Sequence, residues 1–153
     1  MTPERLEAED PRLPEVLALI QRCFAYMEGR IDPPSSMLNL TVEAMSAHCK
    51  SGEIWILGQP VVACVFLTPK EDCLYLGKLA VDGTRRGAGL ARVLIDHALL
   101  RARDLHLPAL ELQTRVELVE NHATFSRLGF VQTGTTTHMG YDRPTSLVFR
   151  RPV

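Results

Sequence analysis

Arg85-Arg86-Gly87-Ala88-Gly89-Leu90-Ala91 follows the apolar run Leu74-Tyr75-Leu76-Gly77-Lys78-Leu79-Ala80-Val81 and opens a helical pattern. A strand, a glycine turn and a helix start, in that order, make a place for an anion. The first turn of a helix has backbone N–H groups without intrahelical partners, and the dipole there favours negative charge. Gly87 and Gly89 carry no Cβ, so a phosphate can come close to the main chain. Arg85 and Arg86 stand at the helix end where cations are unfavourable, a penalty that a bound polyphosphate reverses.

Two rival glycine motifs fail. No Gly-Lys-Ser/Thr follows, so this is not a P-loop. Arg92 occupies the third glycine position of a dinucleotide fingerprint. What fits is Arg86-x-x-Gly89-x-Ala91. About thirty residues on comes Glu120-Asn121-His122-Ala123-Thr124-Phe125-Ser126-Arg127-Leu128-Gly129-Phe130. Asn121 reads as a helix N-cap there, and Gly129 with Phe130 as a C′ glycine and its hydrophobic follower. In order and spacing the two motifs together resemble the GNAT superfamily of N-acetyltransferases, over roughly residues 60 to 150. Taken alone, the first is also readable as a glycine turn with two solvated arginines.

The composition is that of an ordinary globular domain. The chain has 153 residues, 46% hydrophobic and 23% charged, with a formal net charge of −1. So small a charge gives no electrostatic footprint for nucleic acid or an anionic membrane, and neither partner is expected. No apolar run approaches the ~20 residues of a membrane span. The acidic start, Met1 to Asp10, is unlike a signal peptide. Cys23, Cys49, Cys64 and Cys73 are scattered without metal-ligand spacing, so no metal is expected. A reduced, cytoplasmic protein is the simplest reading.

Along the chain, Asp10 and Pro11 read as an N-cap with proline at the first helical position. Leu13, Leu17, Ile20, Phe24 and Met27 then mark a helix over residues 11 to 27. Gly29 to Asn39 reads as a loop, and Thr41 caps a second helix ending near Gly52. Strands are expected from Glu53, over 61 to 67 beyond a Gly58-Gln59-Pro60 turn, over 73 to 81 and over 109 to 116. Between the last two runs a helix with Leu90, Val93, Leu94, His97, Ala98 and Leu105 on one face. In the strand from Ala109, Glu111, Gln113 and Arg115 alternate with Leu110, Leu112 and Thr114. Segments 130 to 136 and 146 to 151 close the sheet, and residues 1 to 9 offer little sign of a strand. The helix joining the strands at 73 and 109 implies a parallel crossover. The expected fold is α/β, a GNAT-like mixed sheet. It is mostly antiparallel, with one parallel pair and helices on both faces, in a single domain over residues 1 to 153.

The resemblance implies acetyl-CoA as acetyl donor and direct transfer to a primary amine on a small molecule or peptide. Its cofactor residues would be Leu79, Ala80 and Val81 on a bulged, splayed strand, with Arg86, Gly87, Ala88, Gly89, Leu90 and Ala91 in the turn. Asn121 and Phe125 follow in the last helix. A backbone N–H aimed at the thioester oxygen would stabilise the oxyanion. The alkylammonium must lose a proton, and several residues compete as base with no winner. Tyr75 stands where family members often carry glutamate. Glu111 lies on the polar face of the next strand. His122 and His138 have no recognisable partner. Phe125 replaces the tyrosine that in many members protonates the thiolate, leaving Ser126, Tyr141 or solvent to assist. Glu28, Arg30, Asp32 and Tyr141 border the expected acceptor side, where Arg30 could equally form a local ion pair with its acidic neighbours. A non-catalytic acyl-CoA sensor of the same fold and a nucleotide-dependent enzyme are the competing readings. Exposed edge strands would admit a homodimer.

Overall fold

The alternating strand between Ala109 and Arg115 forms as its residue pattern dictates. Leu110, Leu112 and Thr114 are buried, while Glu111, Gln113 and Arg115 lie on the other face. A computed structural model describes residues 1–153 and places this strand, β5, inside a seven-stranded sheet. The other strands are β1 (Glu4–Arg5), β2 (Glu53–Leu57), β3 (Ala63–Pro69), β4 (Leu74–Val81), β6 (Val131–Thr136) and β7 (Ser146–Pro152). Their spatial order is β1-β2-β3-β4-β5-β7-β6. Every pair is antiparallel except β4 with β5.

Four helices cover the sheet: α1 (Leu13–Phe24), α2 (Val42–Ser51), α3 (Leu90–Asp104) and α4 (Val119–Arg127). On one face Leu13, Val16, Leu19, Ile20 and Met45 pack against Ile54, Ile56, Cys64, Phe66 and Ala80. On the other, Leu90, Leu94, Ile95, Ala98 and Leu99 pack against Leu74, Leu76, Leu110, Leu112 and Phe149, with Phe125 of α4 beside them. Each fully buried aliphatic side chain contributes about 1.5–3 kcal/mol, so the two layers together hold the sheet.

Several boundaries differ from the sequence reading. Helix α1 begins at Leu13, not residue 11, with Arg12 at the N-cap and Pro14 in its first turn. The Asp10 carboxylate instead accepts from the Arg12 backbone N–H at 2.8 Å and from its guanidinium. That turn occupies the two residues expected to be helical. The buried face of α1 uses Val16 and Leu19, while Leu17 and Phe24 are only partly covered. In α3, Ile95, Leu99 and Ala102 join the buried face, and Val93, His97 and Leu105 sit at its margin. A helix lying flat on a sheet buries a wider stripe than one row of i, i+3, i+4 residues.

Strand β3 starts at Ala63 because Val61 and Val62 belong to the turn, where Glu15 accepts from the Val61 N–H at 2.7 Å. Ser36–Asn39 forms a 3₁₀ turn within the expected loop, with Ser35 accepting from the Met37 N–H. A first strand does exist. It is two residues long, held by pairing Glu4 with Ile56 and Arg5 with Trp55.

Other local signals are realised as read. Thr41 caps α2 through its Oγ1 and the Ala44 N–H at 3.1 Å, and α2 stops before Gly52. At the end of α4, Gly129 has φ +93°. Its N–H donates to the Ser126 carbonyl, and the Phe130 N–H to that of Phe125. That is the paired arrangement a C′ glycine permits. The Phe125 and Phe130 rings then meet edge-on at 6.1 Å.

Candidate active site

Strands β4 and β5 pair only where they begin. Leu74 faces Leu110 and Tyr75 faces Glu111, and no residue beyond these is paired. The cause lies on the other edge of β4. Cys64 pairs with Ala80 and Phe66 with Gly77, so Val65 alone faces both Lys78 and Leu79. That is a β-bulge on β4, and Lys78 takes φ +50° to make it. A bulge bends its strand and adds twist, which turns the end of β4 away from β5. Main-chain N–H and C=O groups between the parting strands are left for a ligand.

A cleft of about 1350 Å³ opens at this gap and runs to the glycine turn. Between β4 and α3 the chain first makes a 3₁₀ turn, Gly83–Arg85, held by Asp82 Oδ1, which accepts from the Thr84 N–H at 2.9 Å and from its hydroxyl. Gly87 and Gly89 then sit at φ +82° and +77°. A Cβ built on either meets no atom within 4 Å, so the open conformation, not crowding, is what calls for glycine here. Gly89 is the N-cap of the fifteen-residue α3 and no side chain caps it. The leading N–H groups of α3 therefore face the cleft without a side-chain acceptor. At the far end of β4, the Cys23 thiol donates to the Val81 carbonyl at 3.2 Å, tying α1 to the strand end.

The cleft collects most of the expected cofactor residues: Leu79, Ala80, Val81, Arg86, Gly87, Gly89, Leu90, Ala91, Asn121 and Phe125 all line it. Ala88 lies in the same turn but does not line the cleft. Asn121 is not a cap. Helix α4 begins at Val119, so Asn121 sits inside its first turn with its N–H donating to the Leu118 carbonyl. Its side-chain amide reaches across to Tyr26 Oη at 3.2 Å.

The candidate acid–base residues scatter. Tyr75 lines the cleft. Burial, with the Glu111 charge behind it, pushes its phenol above the usual tyrosine range, so it keeps its proton near neutral pH. Glu111 lies outside the cleft, where Arg150 Nε donates to it at 3.1 Å. Ser126 is exposed on α4 and does not line the cleft. His138 lines it, its ring held by the Thr145 hydroxyl. His122 Nε2 lies 2.9 Å from the Arg115 carbonyl oxygen and does not line the cleft.

On the acceptor side only Arg30 lines the cleft; Glu28, Asp32 and Tyr141 do not. Arg30 pairs with Glu120 at 2.7 Å, not with its acidic neighbours. Asp32 accepts from Tyr141 Oη and Arg143.

Sequence reasoning missed much of the lining. Seven cationic residues line the cleft against one carboxylate, Glu120. Arg85 and Arg92 flank the glycine turn with Arg86, while Lys78, Arg115 and Arg127 lie elsewhere along the walls. The charge of the whole chain hides this, because the acidic residues sit elsewhere. Thr114 also lines the cleft. It is buried and its Oγ1 has no protein partner. Cations, an uncapped helix start, a glycine cradle open to a ligand and an orphaned hydroxyl together fit a long polyanion with polar groups along its length.

Residues 13–130 match the acetyltransferase (GNAT) family. No curated protein sequence matches the chain. Among solved structures it is similar to an acetyltransferase from Streptococcus agalactiae, with 20% identity and a TM-score of 0.75 over 100% of this chain and 99% of that one. It is also similar to a GNAT family acetyltransferase from Elizabethkingia anophelis with acetyl-CoA bound (16%, 0.72, 99% and 97%). An IAA acetyltransferase from Bacillus cereus shares 15% identity and a TM-score of 0.67 over 99% of each chain. At these identities the structures attest the fold. The family match covers most of the chain, which belongs to the GNAT acetyltransferases and is an acyltransferase.

Proposed function

We propose that this GNAT acetyltransferase moves an acetyl group from acetyl-CoA directly to a primary amine. The observation that carries the reading is the bulge at Lys78 and Leu79, which parts β4 from β5 beside a cationic glycine turn. The α3 start, Gly87, Gly89 and Arg86 would hold the diphosphate. Backbone groups of Leu79 and Val81 would hold the arm and place an N–H against the thioester oxygen, where charge builds as the amine attacks. Phe125 would pack along the arm.

In the reaction the amine nitrogen bonds to the acyl carbon and the C–S bond breaks. The ammonium gives up two protons in all; the thiolate takes one and the other leaves to solvent. Tyr75 stands at the last paired position of β4 before the strands part and lines the cleft, which suits it to donate toward the thiolate. The one carboxylate lining the cleft, Glu120, is held by Arg30, so the first proton would leave through water. The cleft lacks a nucleophile with a base beside it, which supports direct attack. The four free thiols are consistent with a reducing compartment, hence a cytoplasmic enzyme, and the open edge of β6 leaves room for a homodimer.

Phe125 in place of a proton donor favours a second reading, an acyl-CoA sensor. One experiment separates the two: calorimetry with coenzyme A and acetyl-CoA, then thiol release from acetyl-CoA with a panel of amines. The enzyme binds and releases thiol when an amine is supplied. A sensor binds with no release on any amine. Absence of binding sinks both.

A further inference from the structure

Lys78 and Arg115 are the two cleft cations with no assignment. Arg85, Arg86 and Arg92 cluster at the glycine turn, Arg127 bonds Thr124 on α4, and Arg30 is paired with Glu120. Neither Lys78 nor Arg115 pairs with any carboxylate. They stand on the two strands that part, Lys78 at the bulge of β4 and Arg115 at the end of β5.

Both also lie on the same side of the sheet. Lys78 Nζ sits over the Phe66 ring at 5.2 Å, in the core beneath α1 and α2. Arg115 donates to the Pro33 carbonyl at 2.8 Å and to that of Pro34 at 3.3 Å, in the loop after α1. This is the face opposite α3, whose first turn carries the glycine cradle. Lys78 is half-buried, and desolvation pushes its ammonium below the usual lysine range. A part-buried cation without a counter-ion is unfavourable, and an arriving anion relieves it.

Two of the acids that would welcome a cationic substrate are already paired: Glu120 holds Arg30, and Asp32 holds Tyr141 and Arg143. Glu117 accepts from the Asp32 N–H through Oε2 at 3.2 Å and keeps a buried, unpartnered Oε1, but it lies outside the cleft. Glu28 lies outside the cleft too.

We infer that the acceptor is an amine that also carries an anion, a carboxylate or a phosphate, held by Lys78 and Arg115 with its amino end toward the gap between β4 and β5. The inference rests on the acetyl-transfer reading and names the substrate class of that site. A free amino acid fits it, and a polyamine does not. The amine, once deprotonated, attacks with the same balance of bonds and protons given above.

The test measures acetyl-CoA-dependent thiol release with glycine, β-alanine, glutamate, phosphoethanolamine, propylamine and spermidine. The best anionic amine is expected to exceed propylamine in kcat/KM by about 100-fold, the worth of a charge-assisted hydrogen bond, with spermidine lower still. Comparing glutamate and β-alanine with phosphoethanolamine tells carboxylate from phosphate. Lys78→Met is expected to raise KM for that amine about tenfold with kcat little changed, and Lys78→Arg to restore it. Arg115→Gln is expected to do the same. Coenzyme A affinity by calorimetry should stay within about twofold for all three, which also shows that the variants fold. Propylamine or spermidine used as well as the anionic amines overturns the inference, as does an unchanged KM in Lys78→Met. So does coenzyme A binding with no anionic amine acetylated. Failure to bind coenzyme A at all is a different result, which removes the acetyltransferase reading and the inference with it.

Discussion

The side-chain amide of Asn121 donates to the hydroxyl of Tyr26 at 3.2 Å, joining the first turn of α4 to the turn after α1 across the cleft. It belongs to a set. Arg30 pairs with Glu120, Arg115 holds the Pro33 and Pro34 carbonyls, and Glu117 accepts from the Asp32 N–H. Four contacts thus lash the segment after α1 to the end of β5 and the start of α4. Each is at least partly exposed, so each is worth little alone. Tyr26→Phe removes one. Global stability by urea titration should move by no more than about 0.5 kcal/mol, while amide exchange over residues 25 to 36 speeds up. Unchanged exchange would show that this bond does not restrain the segment.

Gly89 tests the anion site without a change of backbone strain. Asn and Asp both tolerate its left-handed φ and have nearly the same shape. Gly89→Asp should weaken coenzyme A binding at least about tenfold more than Gly89→Asn, since only the former sets a carboxylate against phosphate at a helix start. Equal affinities in calorimetry would count heavily against a phosphate there. Arg86→Ala should weaken binding too, and more at low salt than at high.

Glu53 is 4% exposed and accepts three hydrogen bonds, two from Arg101 at 2.9 and 2.7 Å and one from Trp55 Nε1 at 2.7 Å. Arg101→Leu strands that carboxylate, so the expected cost is about 3 kcal/mol in chemical denaturation. Adding Glu53→Gln should recover part of the loss, because the buried charge goes as well. A double variant no better than the single one would show that packing, not charge, sets the cost.

Gly52 caps α2 with extended backbone, so no strain argument applies to it. Its need is for space: a Cβ there would meet the Leu67 carbonyl oxygen at 2.4 Å. Gly52→Ala is therefore expected to destabilise by about 1–3 kcal/mol through overpacking. A melting temperature equal to that of the parent protein would contradict this contact.

His97 and His48 set the acid limit of stability. Burial lowers both below the usual histidine value, with the Arg101 charge adding to the effect at His97. His97 Nε2 is buried without a partner beside Trp55. The unfolded chain then binds more protons than the folded one once the pH falls through about 6.5. Stability is full above that value and drops below it. Glu53 acts in the same sense at lower pH. Burial pushes its carboxyl up, but the bonds from Arg101 and Trp55 outweigh this and hold it below its ordinary value. Urea midpoints should fall between pH 7.5 and 5.5, and His97→Phe should flatten that slope. A slope unaffected by His97→Phe would shift the effect to His48.

What the chain spells out locally, it also builds locally. Thr41 and Gly52 bound α2, the 129–130 pair ends α4, and the alternation in β5 survives, because each depends on residues a few places apart. Asp10 and Asn121 show the limit of such signals. Both have capping chemistry, but Asp10 spends its carboxylate on Arg12 and Asn121 spends its amide on Tyr26. The short strand β1 exists only because β2 offers an edge to pair with.

The sequence alone therefore determined the order of elements from α1 onward, the glycine turn and the family. Each is written in short-range periodicity, capping and spacing. Tertiary structure decided the site. The bulge at Lys78 depends on register with β3, where Phe66 pairs with Gly77 and Cys64 with Ala80, and the parting of β4 from β5 follows from it. The gathering of seven cations around one carboxylate likewise arises only when β4, β5, α1, α3 and α4 converge. Charge and register are properties of residues brought together in space, and no window along a chain whose net charge is −1 contains them.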